Sequence, residues 1–212
     1  MTDLAGPGAG LVELTLAVAR SVAAQAGLLN TLDGIAGDGD LGITAGHAVV
    51  ALEGVAAEAA ALEPGPALRK LGRAIASGAP SSGGTLIAFA LMAAAGGDDA
   101  SGTPAARIIA GLRAAAASIA QRGDVTVGDR TMLDALSPAA DAFAAASDAG
   151  ASLAEAFARA ATAADEGARA TTGMEPKVGR AGWLKDRARG NEDPGARLVA
   201  IAFAALAAAL AG

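Results

Sequence analysis

The sequence contains no cysteine. That excludes disulfides, thiolate metal sites and cysteine nucleophiles, and it fits a reducing compartment. Aromatic residues make up 2% of the 212 residues, with no tyrosine and one tryptophan, and acidic residues outnumber basic ones 22 to 16. The basic face with stacking rings that nucleic-acid binding uses is therefore missing. The N-terminal stretch has no basic region ahead of an apolar run, so no signal peptide is expected. The longest apolar run, residues 198–211, is shorter than the ~20 residues of a membrane span and is expected to form a buried helix. These absences predict a soluble cytoplasmic protein with no nucleic-acid or membrane partner. Its length fits one domain over residues 1–212.

What is present is alanine, with few β-branched runs, a composition that favours helix. Apolar residues three to four apart support an all-α chain; Leu11, Leu14, Val18, Val22 and Leu28 form one such stripe. Eight helices are predicted, near residues 9–28, 41–61, 65–77, 82–96, 103–122, 130–148, 151–173 and 194–211. Pro138 should kink or offset the sixth near its first turns. Ser152 with Glu155 three residues on has the capping-box pattern. Asp193 precedes Pro194 as a cap precedes a first-turn proline. The connection over residues 174–193 is long for a compact domain, and loops of that length often serve as lids or binding loops.

The strongest local signal is the stretch from Leu32 to Gly42, which places Asp33, Asp38 and Asp40 within eight residues, among Gly34, Gly37, Gly39 and Gly42. Glycines permit turns that let the three carboxylates converge. Two carboxylates about 4 Å apart repel by about 4 kcal/mol at an effective dielectric of 20. A hard divalent cation removes that cost, and Mg²⁺ or Ca²⁺ suits oxygen ligands. A calcium loop of the EF-hand type is excluded, because no glutamate follows at the twelfth position. An Asp-Gly turn with solvated side chains and Asp40 as a helix cap stays open as the plainer alternative.

Two further segments can meet phosphate. Residues 77–85, Ser-Gly-Ala-Pro-Ser-Ser-Gly-Gly-Thr, run straight into an apolar helix, whose N-terminal amides and dipole favour anions. No lysine follows the glycines, so this is not a P-loop, and Ser81 or Ser82 could simply cap the helix. Residues 179–196 are polar and basic, and arginine's planar fork suits phosphate. A solvated surface loop, with Trp183 as a local anchor, is the alternative there.

Three motifs in order carry a resemblance. Leu32-Asp33 is followed by Gly37-Asp38-Gly39-Asp40-Leu41-Gly42. Next comes Gly128-Asp129-Arg130-Thr131-Met132-Leu133-Asp134-Ala135-Leu136-Ser137-Pro138. Last are Gly179-Arg180-Ala181 and Asp193-Pro194-Gly195-Ala196. Nearly end to end, the chain resembles the DhaL family, the nucleotide-binding subunit of dihydroxyacetone kinase, also found as the C-terminal domain of single-chain kinases. The resemblance implies an eight-helix antiparallel barrel with a nucleotide site at one end. It implies two Mg²⁺ ions on Asp33, Asp38 and Asp40, binding the phosphates of ADP or ATP. Leu41, Gly42, Ile43, Thr44, Gly78 and Ala79 would lie along the phosphates, with Ser81 and Ser82 at the same helix start. Gly123 and Met132 would line the adenine pocket, with Thr131 beside them. Arg180 would meet a phosphate and join the three aspartates as the catalytic set, and Asp193, Pro194 and Gly195 would close the site beneath a lid formed by residues 174–193.

The implied reaction moves a phosphoryl group to a small ketose held by a separate DhaK-like subunit, through a histidine there. His47, the single histidine, is expected to be a packing or surface residue. ATP as consumed substrate, and bound ADP recharged by a phosphotransferase-system protein, both stay open. So do a homodimer and a non-catalytic module that binds Mg-nucleotide for regulation. Leu41 and Asn191 stand where many family members have histidine, and residues 77–81 replace the usual Gly-Gly-Ala-Ser-Gly. These departures indicate a divergent branch of glycerol-type metabolism acting on a three- or four-carbon ketose.

Overall fold

Alanine side chains leave helices free to approach one another closely, and the tertiary structure is built on that. A computed structural model describes residues 4–99 and 102–211, with the side chains of Asp98, Asp99, Arg180 and Lys185 outside the described set. Its long helices are α1 (Ala9–Ala23), α2 (Ala26–Ala36), α3 (Leu41–Ala60), α4 (Pro64–Gly78), α5 (Ser82–Ala94), α6 (Pro104–Gly123), α7 (Leu133–Asp148) and α8 (Leu153–Ala170). Two short helices follow, α9 (Gly179–Trp183) and α10 (Lys185–Ala188), and then α11 (Pro194–Ala211). Every regular element among the described residues is helical.

The packing order closes a ring. α1 packs on α3, α3 on α4, α4 on α5, α5 on α6, α6 on α7, α7 on α8, α8 on α11, and α11 returns to α1. Short connections make the successive helices from α3 to α8 antiparallel, and the ring as a whole is the eight-helix antiparallel barrel that the resemblance implies. In an alternating ring, every second helix starts at the same end. Here those helices are α3, α5, α7 and α11.

Three apolar clusters hold the ring. One joins Phe143, Phe157 and Phe203 with alanines of α7, α8 and α11, and the Phe143 and Phe157 rings are 4.7 Å apart. A second joins Val12, Leu16, Leu52 and Leu71 of α1, α3 and α4. A third joins Val22, Leu29, Leu41, Ala45 and Leu198. Several caps form as expected. Ser152 and Glu155 make both bonds of the capping box, and Asp193 accepts the Ala196 N–H at 2.8 Å.

The predicted helix over residues 9–28 is in fact two helices, bent by 61° between Ala23 and Ala26. The supposed 29–40 loop is helical as far as Ala36. The break itself, Ala24-Gln25, holds neither glycine nor proline. Its cause is tertiary: the first turn of α3 runs against the start of α2, where a Cβ on Gly42 would strike the Ala26 carbonyl. The Gly42 N–H also donates to Asn30 Oδ1 at 2.7 Å. The buried face of this segment is therefore Val12, Leu16, Val22 and Leu29, while Leu28 is exposed. α11 is buried mainly in its first half, at Ala196, Leu198, Val199, Ala200 and Phe203, so the expected buried helix is buried only in part. By length and composition alone, α3 and α11 could cross a membrane.

Pro138 sits inside α7 and has no N–H to offer the Asp134 carbonyl. Gly167 of α8 lies against that carbonyl, with no room for a Cβ. Gly167→Ala is therefore expected to force α7 and α8 apart and cost about 1–3 kcal/mol, the usual range for overpacking. The midpoint of urea unfolding checks this.

Candidate functional site: a carboxylate-lined cleft at four helix starts

The common end of the ring is open as a cleft of about 570 Å³. Its wall takes Asp38, Asp40 and Leu41 from the start of α3, and Pro80, Ser81, Ser82 and Gly83 from the start of α5. It takes Arg130, Thr131 and Met132 from before α7, and Asp193, Pro194 and Gly195 from the start of α11. Each helix start offers N–H groups that its own helix leaves unpaired, together with a partial positive charge. Of the helix C-termini at this end, two reach the wall: α2, through Leu32, Asp33, Ile35 and Ala36, and α6, through Ile119 and Gly123.

Asp33, Asp38 and Asp40 each present a carboxylate oxygen within 4.8 Å of the others. The geometry follows from the loop. Asp33 lies on the last turn of α2 and Gly37 caps that helix, its N–H donating to the Asp33 carbonyl at 2.6 Å. The chain then doubles back so that the Gly39 and Asp40 N–H groups donate to Asp33 Oδ2 at 2.9 and 3.0 Å. The return needs Gly39 at φ +75° and a bare Gly37, because a Cβ there would strike Asp33 Oδ1. The three oxygens are hard donors at the spacing of a shared cation, which fits Mg²⁺.

In the same cleft, Ser81 caps α5 and accepts the Gly84 N–H at 2.9 Å. Ser82 and Gly83 line the cleft, so the first-turn amides of α5 are available to an anion. The far wall is apolar, formed by Leu86, Ile119, Val125, Met132 and Val178. Gly195 fits against Met132, to which a Cβ would come within 3.4 Å.

The segment over residues 124–132 is held by carboxylates. Buried Asp134 accepts the Gly128 N–H at 2.5 Å and the Thr131 N–H at 2.7 Å. Asp129 accepts the Thr126 N–H at 2.7 Å and Lys177 Nζ at 2.6 Å. Those contacts, Lys177 first, hold the Asp129 carboxyl below its ordinary value. Asp193 behaves oppositely. Burial raises its carboxyl to about 6, against the pull of the Ala196 N–H and the charge of Arg130.

Most of the residues singled out in the sequence meet in this cleft: Asp33, Asp38, Asp40, Leu41, Ser81, Ser82, Gly123, Thr131, Met132, Asp193, Pro194 and Gly195. Gly42, Ile43, Thr44, Gly78 and Ala79 are not in its lining. Gly42 packs on α2, Gly78 packs on Ala51, Thr44 and Ala79 are buried, and Ile43 is exposed. The Arg180 side chain lies outside the described residues. His47 is exposed on α3 and does not line the cleft. The sequence reading missed the apolar wall of Leu86, Ile119 and Val125, and it gave Arg130 no role. The wall residues repeat at helical spacing like any core residue. Arg130 carries no separate signal within the stretch from Gly128 to Pro138.

The DAK2 domain family matches residues 35–208. The chain belongs to that family. A D-erythrulose kinase of Mycolicibacterium smegmatis is 32% identical over 188 residues, 87% of this chain and 32% of that one. The ADP-binding subunit DhaL of the PEP-dependent dihydroxyacetone kinase of Escherichia coli is 30% identical over 98 residues, 46% of this chain and 47% of that one. The crystal structure of the C. freundii dihydroxyacetone kinase in complex with AMP-PNP and Mg²⁺ superposes with a TM-score of 0.71 at 28% identity, covering 95% of this chain and 33% of that one. This DAK2 domain thus spans about a third of the length of the first curated relatives it matches.

The Asp193 carboxyl gives a pH signature. Its folded value, about 6, lies above the ordinary 3.8, so the native state binds the proton more tightly. The associated stability is complete below pH 3.8 and is lost as pH rises through about 6. In the ligand-free protein, stability relative to Asp193→Asn is therefore expected to increase on acidification from pH 7 to 5. Asparagine keeps the helix cap, so the variant isolates the titration in paired thermal melts across that window.

Proposed function

We propose that this DAK2 domain binds an adenine nucleotide as its magnesium complex and passes the terminal phosphoryl group to a small ketose held by a DhaK-like partner. The observation that carries the reading is the convergence of Asp33, Asp38 and Asp40 in the same cleft as the start of α5. The carboxylates would repel the anion that the helix start attracts unless a cation stood between them. The likeness to a kinase structure holding AMP-PNP and Mg²⁺ supports this.

Asp33, Asp38 and Asp40 would hold the metal, two ions in all, and the amides of Ser82 and Gly83 would take phosphate oxygens. The wall of Leu86, Ile119, Val125 and Met132 would receive the adenine ring. Arg180, on α9 beside the cleft residues Gly179 and Ala181, has the charge to meet a phosphate. Bound magnesium would polarise the terminal phosphoryl group and neutralise charge on its oxygens. The chain's own contribution would be positioning, and closure of the 174–193 segment would exclude water. No histidine lines the cleft to hold a ketose, which supports a partner. Relatives named as D- and L-erythrulose kinases favour a four-carbon ketose. The AMP-PNP complex favours ATP as the phosphoryl donor.

Calorimetric titration with ADP tests the reading directly. Binding is expected with Mg²⁺ and not after chelation; equal affinity in both would sink it. Asp38→Asn is expected to abolish Mg²⁺-dependent binding. It should also hold or raise the thermal midpoint of the ligand-free protein, because one of three crowded carboxylates is gone. A large drop in that midpoint would count against a convergent acidic loop.

A further inference from the structure

Two consecutive residues tie down both ends of one segment. Residues 174–193 leave the end of α8, pass the cleft at Gly179 and Ala181, and return at Pro194. At the outgoing stem, Lys177 Nζ donates to Asp129 Oδ1 at 2.6 Å, and the Lys177 N–H donates to the Asp129 carbonyl at 3.4 Å. At the returning stem, one terminal nitrogen of Arg130 donates to the carbonyls of Ala188, Asn191 and Glu192, at 3.1, 2.8 and 3.3 Å. Between the stems, Trp183 is 90% exposed.

The turn that carries these residues is stiff. Asp134 accepts N–H groups from Gly128 and Thr131, one on each side of the pair. Arg130 is held there at a cost. Its φ is +62°, a region unfavourable to a side chain. It is 4% exposed, and its Nε lies buried without a hydrogen-bond partner. Glycine would relieve the backbone but could not reach three carbonyls. A buried charge kept under both penalties is poorly explained by stability alone.

We propose that Asp129 and Arg130 are positioning residues that form a double anchor for the 174–193 segment. The anchor holds the tip, residues 179–187, in fixed register with Thr131 and Met132, the next two residues along the same turn. This rests on the reading of the cleft as a Mg-nucleotide site. The tip then moves as a flap between two fixed stems, and the anchor sets how long a nucleotide stays beneath it.

Lys177→Met is the informative variant, because the Lys177 side chain is exposed and the loss of an exposed ion pair costs a fold little. Amide hydrogen exchange without nucleotide is expected to speed up in residues 179–187, and the core helices should keep their protection. Dissociation of Mg-ADP, followed through emission of the single tryptophan, Trp183, should accelerate roughly three- to tenfold, as for loss of a partly exposed charged hydrogen bond. Lys177→Arg should restore both. Arg130→Lys should loosen residues 188–192 and leave the Lys177 stem protected. Unchanged exchange in Lys177→Met, or exchange raised uniformly through the core, would overturn the anchor. Failure of the unmutated protein to bind Mg-ADP would overturn the reading of the cleft instead, and exchange would still judge the anchor.

Discussion

Closure of an antiparallel ring is the constraint on which the rest of this structure depends. Once α11 packs back on α1, the ring alternates without a break, and the starts of α3, α5, α7 and α11 fall at one end. Four helix starts, each with its partial positive charge, then face a common space. The helix dipoles favour anions at that end. The acidic loop before α3 is the exception that gives the cleft its chemistry, because it brings three negative groups to a positively biased place. Anion and cation are both called for within one cleft, which is what a metal–phosphate complex supplies.

Small residues make the ring possible. With alanine and glycine at the crossings, backbones come close enough that a single added methyl group would meet a carbonyl, as at Gly42 against Ala26 and Gly167 against Asp134. The first of these contacts also turns α2 away from α1 and sets Asp33 beside the start of α3. The position of the Asp33 carboxylate thus depends on a contact made about two turns earlier in α2, at Ala26.

The long helices were legible in the sequence because alanine-rich, apolar-periodic stretches have few alternatives. The acidic loop was legible because its glycines mark where the chain must turn. The break at residues 24–25 was not legible, since nothing local causes it. Gly42, Ile43, Thr44, Gly78 and Ala79 were placed along the phosphates by resemblance, whereas the structure seats them in helix packing or on the surface. Arg130 shows the limit most clearly. Its partners lie 58 to 62 residues further along the chain. They are also backbone carbonyls, which any residue could supply. A pattern of side chains has no means of registering such a bond. Membership of the DAK2 family covers the same ground from the other direction, fixing the fold while leaving these contacts to be found residue by residue.

The walls of the cleft are spread along the chain, from Leu32 to Gly195, and the last of them belongs to the helix that closes the ring. During synthesis, a nascent chain without α11 has neither the fourth helix start nor the α8–α11–α1 contacts. It can collapse around its first helices, but it has no finished site to offer. A ligand that binds only the finished site pulls the folding equilibrium toward the closed ring by mass action. Occupancy of the cleft by such a ligand would therefore double as a checkpoint on completed folding.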